Sequence, residues 1–430
     1  MRPLLPSRLR SLLLACLLLL AGSASASSTT LSPATYNALN DIQTLISEEK
    51  YGEAENTLND LAADLKPGFG LALTYQLYGQ LYLIQEQQDK ALTWYRKSLA
   101  LDALAPAEEA GLATTVAQLL LAREDYPQAV AELQPRIERF RQQEKEDAAR
   151  NRQQNKEPVW ILQPISFVTL ASAYQLQKNY AASIPALEEA VARLRARGEA
   201  VKENWLQMLM AAYYQTQNYP RTAKVLDDLL RINPGKEDYW QQQTAVFQLL
   251  EKPALALRTL ELGYSGGYVR KADSILLLVQ MLLAQNIPDR AGRILQRHLD
   301  DGTIELNERN WKLLAAAWQQ GRERDKAIPA ILKASEFMQD GILILRAARL
   351  SIQDGDPRRT LELTEAALKK GLQDKDKPSA LMLAGSSACE LNELNTARRY
   401  FQQALSFADT AGNARAWLDY IAALETYPVE

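Results

Sequence analysis

Residues 75–98 read YQLYGQLYLIQEQQDKALTWYRKS, and this stretch decides the fold. Tyr75, Tyr78, Gly79 and Tyr82 fall three and four apart, an aromatic helical face with one small residue set into it. Nine residues after Tyr82 comes Ala91, which opens a second helix with Tyr95 four later and Ser98 three after that. The arrangement returns along the chain. Trp311, Leu314, Ala315 and Trp318 lead to Ala327, Ile331 and Ala334; Leu381, Ala384, Gly385 and Ala388 lead to Ala397, Phe401 and Ala404. The small residue that opens the second helix recurs at Ala54, Ala91, Ala129, Ser183, Thr222, Ala256, Ala291, Ala327, Thr360 and Ala397. Successive positions are 33 to 39 apart except for one interval of 54.

Two antiparallel helices approach closely only where facing side chains are small, and large residues then fill the hollow between one pair and the next. A single pair cannot bury its apolar face alone, so such units stack. Spacing and residue type together resemble the tetratricopeptide repeat family, whose period is about 34 residues. The resemblance implies an all-α fold, a right-handed α-solenoid of about ten helix pairs. Ala414 to Leu424, with Trp417 and Tyr420, reads as the helix that caps the last pair. Two copies depart from the pattern, with Ile42 and Met210 where a small residue is usual. Turn chemistry agrees: Asn218, Tyr219 and Pro220, or Asp356 and Pro357, sit between the helices of a pair, and Pro234 and Pro378 punctuate the joints. The resulting division is repeats one to three over 35–138, a charged insertion or helix extension over 139–158, repeats four to ten over 159–410, and a cap with tail over 411–430. The insertion is rich in Arg, Gln, Glu, Lys, Asp and Asn, and reads as a solvated helix end plus loop.

Residues 1–26 read as a cleaved secretory signal: Arg2, Arg8 and Arg10 precede an apolar run from Leu12 to Ala21, and Ala24, Ser25 and Ala26 follow. Cys16 loosely resembles a lipoprotein acylation site, but it sits in the middle of that run. Cleavage near Ala26 leaves 46 basic against 52 acidic residues, a net charge of −6, and Cys389 as the single cysteine, so no internal disulfide forms. The expected location is the periplasm. After the signal, the longest apolar run, Ile275 to Ala284, is too short for a membrane span and contains Gln280. An acidic balance without a basic cluster argues against nucleic acid. With one histidine, His298, and no Gly-rich phosphate loop, neither a metal centre nor an ATPase has support, and no cofactor is expected.

Two motifs look catalytic. Gly263, Tyr264, Ser265, Gly266 and Gly267 match a nucleophile elbow, with Asp289 and His298 following in hydrolase order. That chemistry needs a strand leading into the Ser, whereas Ala254 to Leu262 has helical apolar spacing; a Gly-rich joint between repeats is the plainer reading, and a serine hydrolase the remote one. Ser47 and Lys50 have a Ser-x-x-Lys spacing without its companion motifs. The chain therefore reads as a non-enzyme.

In tetratricopeptide solenoids, the resemblance implies, the first helices of the pairs line a concave groove that holds a protein or peptide partner. The corresponding positions here are Gln76, Gln80, Gln207, Tyr214, Gln241, Gln242, Gln248, Gln280, Lys312, Gln319, Arg346 and Arg349. A Lys-and-Asn carboxylate clamp is absent, since Ala316 follows Lys312 four later; Lys312, Arg346 and Arg349 together are expected to attract an acidic segment. The segment from Trp240 to Trp417, with Gly263 to Val269, then Asn310, Trp311 and Leu314, then Asp340 and Gly341, further resembles periplasmic tetratricopeptide proteins of gammaproteobacteria associated with TonB, ExbB and ExbD. That resemblance implies an accessory scaffold for outer-membrane transport. An envelope-assembly adaptor for outer-membrane protein or polysaccharide machinery is the alternative.

Overall fold

The computed structural model describes residues 30–154 and 160–426, so the expected export signal, Cys16 and the far C-terminus lie outside the described residues. The chain divides into two units, Met1–Thr216 and Gln217–Glu430. The first holds α1 (Pro33–Ser47), α2 (Tyr51–Asp64), α3 (Phe69–Ile84), α4 (Gln88–Ala100), α5 (Pro106–Ala122), α6 (Tyr126–Gln153), α7 (Pro164–Leu176), α8 (Tyr180–Ala196) and α9 (Glu203–Gln215). The second holds α10 (Tyr219–Ile232), α11 (Glu237–Leu249), α12 (Pro253–Ser265), α13 (Ala272–Ala284), α14 (Pro288–Asp300), α15 (Glu308–Gln320), α16 (Arg324–Ser335), α17 (Ile342–Gln353), α18 (Pro357–Lys370), α19 (Lys377–Glu390), α20 (Leu394–Ala404) and α21 (Ala408–Thr426). No strand occurs among the described residues. In chain order twenty of these helices fall into ten successive pairs, odd-numbered first and even-numbered second; the fifth, α9 and α10, is divided between the two units, and α21 is the remainder.

All ten landmark residues, from Ala54 to Ala397, occupy the fourth position of a second helix, and none is more than 1% exposed. Burial this complete at a small side chain means that a neighbouring helix lies against it. In two first helices the small residue meets its own partner helix directly. A Cβ on Gly79 would overlap the Tyr95 ring, and one on Gly385 would stand 2.6 Å from Phe401; Ala315 is buried in the cluster that contains Ile331. The two departures from the pattern fit locally. Ile42 is fully buried in α1, and Met210 is half-buried in α9.

Every turn inside a pair has three residues, whereas the joints between pairs run from four to ten. The middle residue of each turn adopts positive φ: Glu49, Glu86, Glu124, Lys178, Gln217, Glu251, Asn286, Arg322, Gly355 and Asn392. In nine of these turns the residue after it donates its N–H five residues back, as Gln87 does to Tyr82 O at 2.8 Å and Glu323 to Trp318 O at 2.8 Å, a Schellman closure of the first helix. Asp125, Asn179, Asn218 and Asp356 end their turns by capping the second helix through the side chain. Seven of the ten left-handed positions carry a side chain that disfavours the conformation, while Asn286 and Asn392 tolerate it and Gly355 adopts it freely. Glu86 is exposed, and Glu86→Gly is expected to stabilise the first unit by up to about 1 kcal/mol, the relieved strain less the backbone entropy of glycine. An unchanged or lower urea midpoint would contradict this.

The charged insertion departs from the solvated form expected of it. Helix α6 runs unbroken through it to Gln153, and Phe140 and Glu144 are buried. The Glu144 carboxylate accepts from the backbone N–H groups of Ile161 (2.7 Å) and Leu162 (2.8 Å), and from both terminal nitrogens of Arg193 (3.1 and 2.6 Å) on α8. Arg193 also donates to Leu162 O at 2.9 Å and to Glu189 at 2.9 Å, and its guanidinium lies over the Trp160 and Phe167 rings. With side chains only 9% and 5% exposed, Glu144 and Arg193 tie the widest joint shut from within.

At the other end, α21 covers α20 as a cap. Trp417 stacks on Phe401 with centroids 5.4 Å apart, and Ala414 and Ile421 are fully buried beside them. No helix among the described residues is long and apolar enough to cross a membrane.

Candidate functional site

The Gly-rich motif at 263–269 is a joint. Ser265 is the last residue of α12 and is exposed, so a helix leads into it where a nucleophile elbow requires a strand. Gly263 is there because Trp240 and Val269 each stand 2.8 Å from where its Cβ would be, and Gly267, at φ +74°, turns the chain so that Tyr268 and Val269 donate back to Gly263 O. Trp240 stacks on Tyr268 and donates its indole N–H to Pro234 O at 2.8 Å. The buried Glu237, at the start of α11, accepts from the N–H groups of Arg270 (3.1 Å) and Lys271 (3.1 Å) and from the Ser274 hydroxyl, which holds the next first helix in place.

His298 lies in the last turn of α14. Its Nε2 faces the Tyr264 hydroxyl at 2.9 Å and its Nδ1 faces Asp301 Oδ2 at 3.1 Å. Asp289 sits nine residues earlier, roughly 13 Å away along the helix, where it pairs with Arg293 at 3.0 Å. The order Ser265, Asp289, His298 is therefore a sequence coincidence: the aspartate that meets the imidazole is Asp301, held below the usual carboxylate range first by hydrogen bonds from Thr303 and then by His298. Ser47 donates to Thr44 O at 2.8 Å while Lys50 pairs with Glu48 at 2.8 Å, so that second motif brings no pair together either. Burial pushes the Cys389 thiol up, away from the reactive thiolate. Among the described residues no group of three or more His, Cys, Asp or Glu is placed to hold a metal ion.

The expected groove positions separate into three kinds. Several amides on first helices have no hydrogen-bond partner among the described residues: Gln76 and Gln80 on α3, Gln242 and Gln248 on α11, and Gln280 on α13, the last three exposed. Others are engaged. Gln207 donates to Glu203 at 3.3 Å, Gln241 donates to Ser274 at 2.5 Å, and Lys312 pairs with Glu308 one turn earlier at 2.5 Å. Tyr214, on α9, is 45% exposed.

Arg346 and Arg349 form the third kind. Both are exposed on α17, and they reach in opposite directions: Arg346 donates to Gln319 Oε1 on α15 at 2.5 Å, Arg349 to Ser379 Oγ on α19 at 2.8 Å. The two bonds connect the exposed faces of three successive first helices. Each acceptor is neutral, so both guanidinium charges stay uncompensated. The expected trio of cations thus reduces to two, because Glu308 already neutralises Lys312. Sequence reasoning missed Ser379 as a member of the row and Glu308 as the neutralising group; the four-residue spacing of Glu308 and Lys312 was the available signal.

Residues 72–103 match the tetratricopeptide repeat family model. No curated protein matches the chain. Among solved structures, the chain resembles a tetratricopeptide repeat protein from Parabacteroides merdae at 12% identity, over 60% of this chain and 98% of that one, with a TM-score of 0.32. It also resembles the C-terminal part of a repeat-containing protein from Cytophaga hutchinsonii at 16% identity, over 58% and 98% of the two chains, with a TM-score of 0.33. YrrB, described as a repeat protein with an unusual peptide-binding site, matches at 14% identity over 46% and 95%, with a TM-score of 0.31. One repeat is matched within α3 and α4, and the same buried small residue stands fourth in each of ten second helices: in its fold the chain is a series of tetratricopeptide-like helix hairpins.

Proposed function

We propose that the protein is an exported, non-catalytic scaffold of the periplasm that holds a protein or peptide partner against the exposed faces of its first helices, and that this partner belongs to the TonB–ExbB–ExbD system. The observation that carries the binding reading is the set of polar groups on first helices of the second unit: Gln242, Gln248 and Gln280 without partners among the described residues, and Arg346 and Arg349 with charge left over. Arg346 and Arg349, each held by one hydrogen bond, offer further N–H groups whose placement is partly set before a partner arrives. The periplasmic and TonB parts rest on the export-signal pattern at 1–26 and on the resemblance carried by residues 240–417.

Purified mature chain is expected to bind the isolated periplasmic domain of TonB or ExbD saturably, and deletion of the gene is expected to slow growth under iron limitation. Absence of binding to both domains, with unchanged growth, would remove the TonB reading. Direct binding instead to a component of outer-membrane assembly would favour the adaptor role.

A further inference from the structure

We infer that α21 is a contact between copies of this chain, in which the α21 helices of two copies pack antiparallel about a two-fold axis at Ala416. Within the second unit, α11, α13, α15, α17 and α19 are each covered by the second helix that follows, whereas α21 packs on α19 and α20 and has no second helix of its own among the described residues. A helix whose only task is to keep the last pair in water carries a polar outer face. Six of the ten exposed residues described on α21 are instead Ala, Gly or Tyr, and Tyr420 among them is 52% exposed. Gly412 lies on the same face, and no atom of the chain comes within 4 Å of where its Cβ would be.

The charges on this face select both the occupant and its direction. Arg415 and Asp419 are exposed one turn apart, and neither has an ion pair among the described residues. Two α21 helices packed parallel and in register would set Arg415 on Arg415 and Asp419 on Asp419, which repels. An antiparallel pair centred on Ala416 sets each residue against the one equally far beyond Ala416 on the other copy, so Gly412 meets Tyr420 and Asp409 meets Ala423. Arg415 of one copy and Asp419 of the other then stand two residues, roughly 3 Å, apart along the axis. Two equivalent ion pairs close across the contact. The Tyr420 ring lies on Gly412 of the second copy, as the Tyr95 ring lies on Gly79 inside the first unit, and Ala416 and Ala423 let the helix axes approach to the short end of the usual range. A single pair of helices buries less than a standard interface, so the dimer forms only at micromolar concentrations. The contact uses none of the residues named for partner binding and holds or fails independently of that reading.

Sedimentation of the full mature chain from about 5 to about 200 µM is expected to show a reversible equilibrium between monomer and dimer. Arg415→Glu and Asp419→Arg each set like charges together at two places, and each should raise the dissociation constant about tenfold or more. An equimolar mixture of these two variants should dimerise as the parent does, because the charges that meet across the contact are then opposite again. Ala416→Glu, which places two carboxylates on the axis, should abolish the dimer while helical content by circular dichroism stays unchanged, since the position is exposed. A monomer at every concentration would overturn the inference. So would a dimer that Ala416→Glu leaves intact, because its contact lies elsewhere. Two charge variants that weaken the dimer and fail to recover on mixing would overturn the antiparallel arrangement.

Discussion

Glu144→Ala is expected to lower the stability of the first unit by about 3–5 kcal/mol, the usual consequence of stripping one member from a buried ion pair. The substitution leaves the Arg193 guanidinium 5% exposed with no carboxylate on its terminal nitrogens, and it orphans the N–H groups of Ile161 and Leu162 at the same time. Glu189 remains on the Nε side and softens the loss. Urea unfolding monitored by circular dichroism gives the size of the effect, and hydrogen exchange gives its place, since faster exchange should begin at residues 161–162 and the end of α6. The companion experiment is Glu144→Met with Arg193→Met. Replacing both charges by apolar side chains removes the unpaired guanidinium and should recover that part of the loss, while the part due to the N–H groups of Ile161 and Leu162 remains. A single variant within about 1 kcal/mol of the parent, where surface pairs fall, would mean that this joint is held by packing alone.

The second large effect is expected at Gly341, where the chain enters α17. A Cβ there would stand 2.2 Å from the carbonyl oxygen of Ala367 and 2.8 Å from its carbonyl carbon, and the Gly341 N–H is already committed to Gly371 O at 2.7 Å. The obstacle is backbone, which cannot rotate out of the way as the Tyr95 ring beside Gly79 can. Gly341→Ala should therefore push the start of α17 off the end of α18 and lower the stability of the second unit by about 3 kcal/mol, at the upper end for overpacking. Gly111→Ala is the matched control, because nothing lies within 4 Å of its added methyl group. In the middle of α5 it should stabilise by roughly 0.5–1 kcal/mol through helix propensity alone. Loss of stability in both variants would point to a general intolerance of the repeats and not to the contact at Ala367.

The helix pairs were legible because close approach of two helices imposes a steric rule that any sequence must obey, and Ala54 through Ala397 obey it at fixed intervals. The turns were not. Left-handed backbone ordinarily announces itself as glycine, but nine of the ten turns use Glu, Lys, Gln, Asn or Arg, so the conformation is imposed by the two helices and leaves no mark on composition. Glu144 was hidden for a related reason. A run dense in charge reads as solvated, yet Ala129, Leu133, Ile137, Phe140 and Glu144 follow one another four, four, three and four apart and continue a single buried stripe. Periodicity carried on into the charged run and would have singled out that one acid. In the groove, residue types were legible and their engagement was not. Gln319 and Ser379 neighbour the arginines only after residues some 30 positions apart are folded side by side.

The constant three-residue link inside each hairpin, set against joints of four to ten residues, also says where this scaffold accepts foreign sequence. A reporter peptide or crosslinking cysteine placed within a link would have to reproduce its one left-handed residue and the closure that follows it. The joints tolerate a change of length, since they already run from four to ten residues, although several fix a left-handed residue of their own, such as Gly267 and Gly302. Labels for mapping a partner therefore belong at exposed joint positions such as residues 373–375, between α18 and α19, and away from Gly302, the buried Ile304 and the capping Asn307 of the joint between α14 and α15.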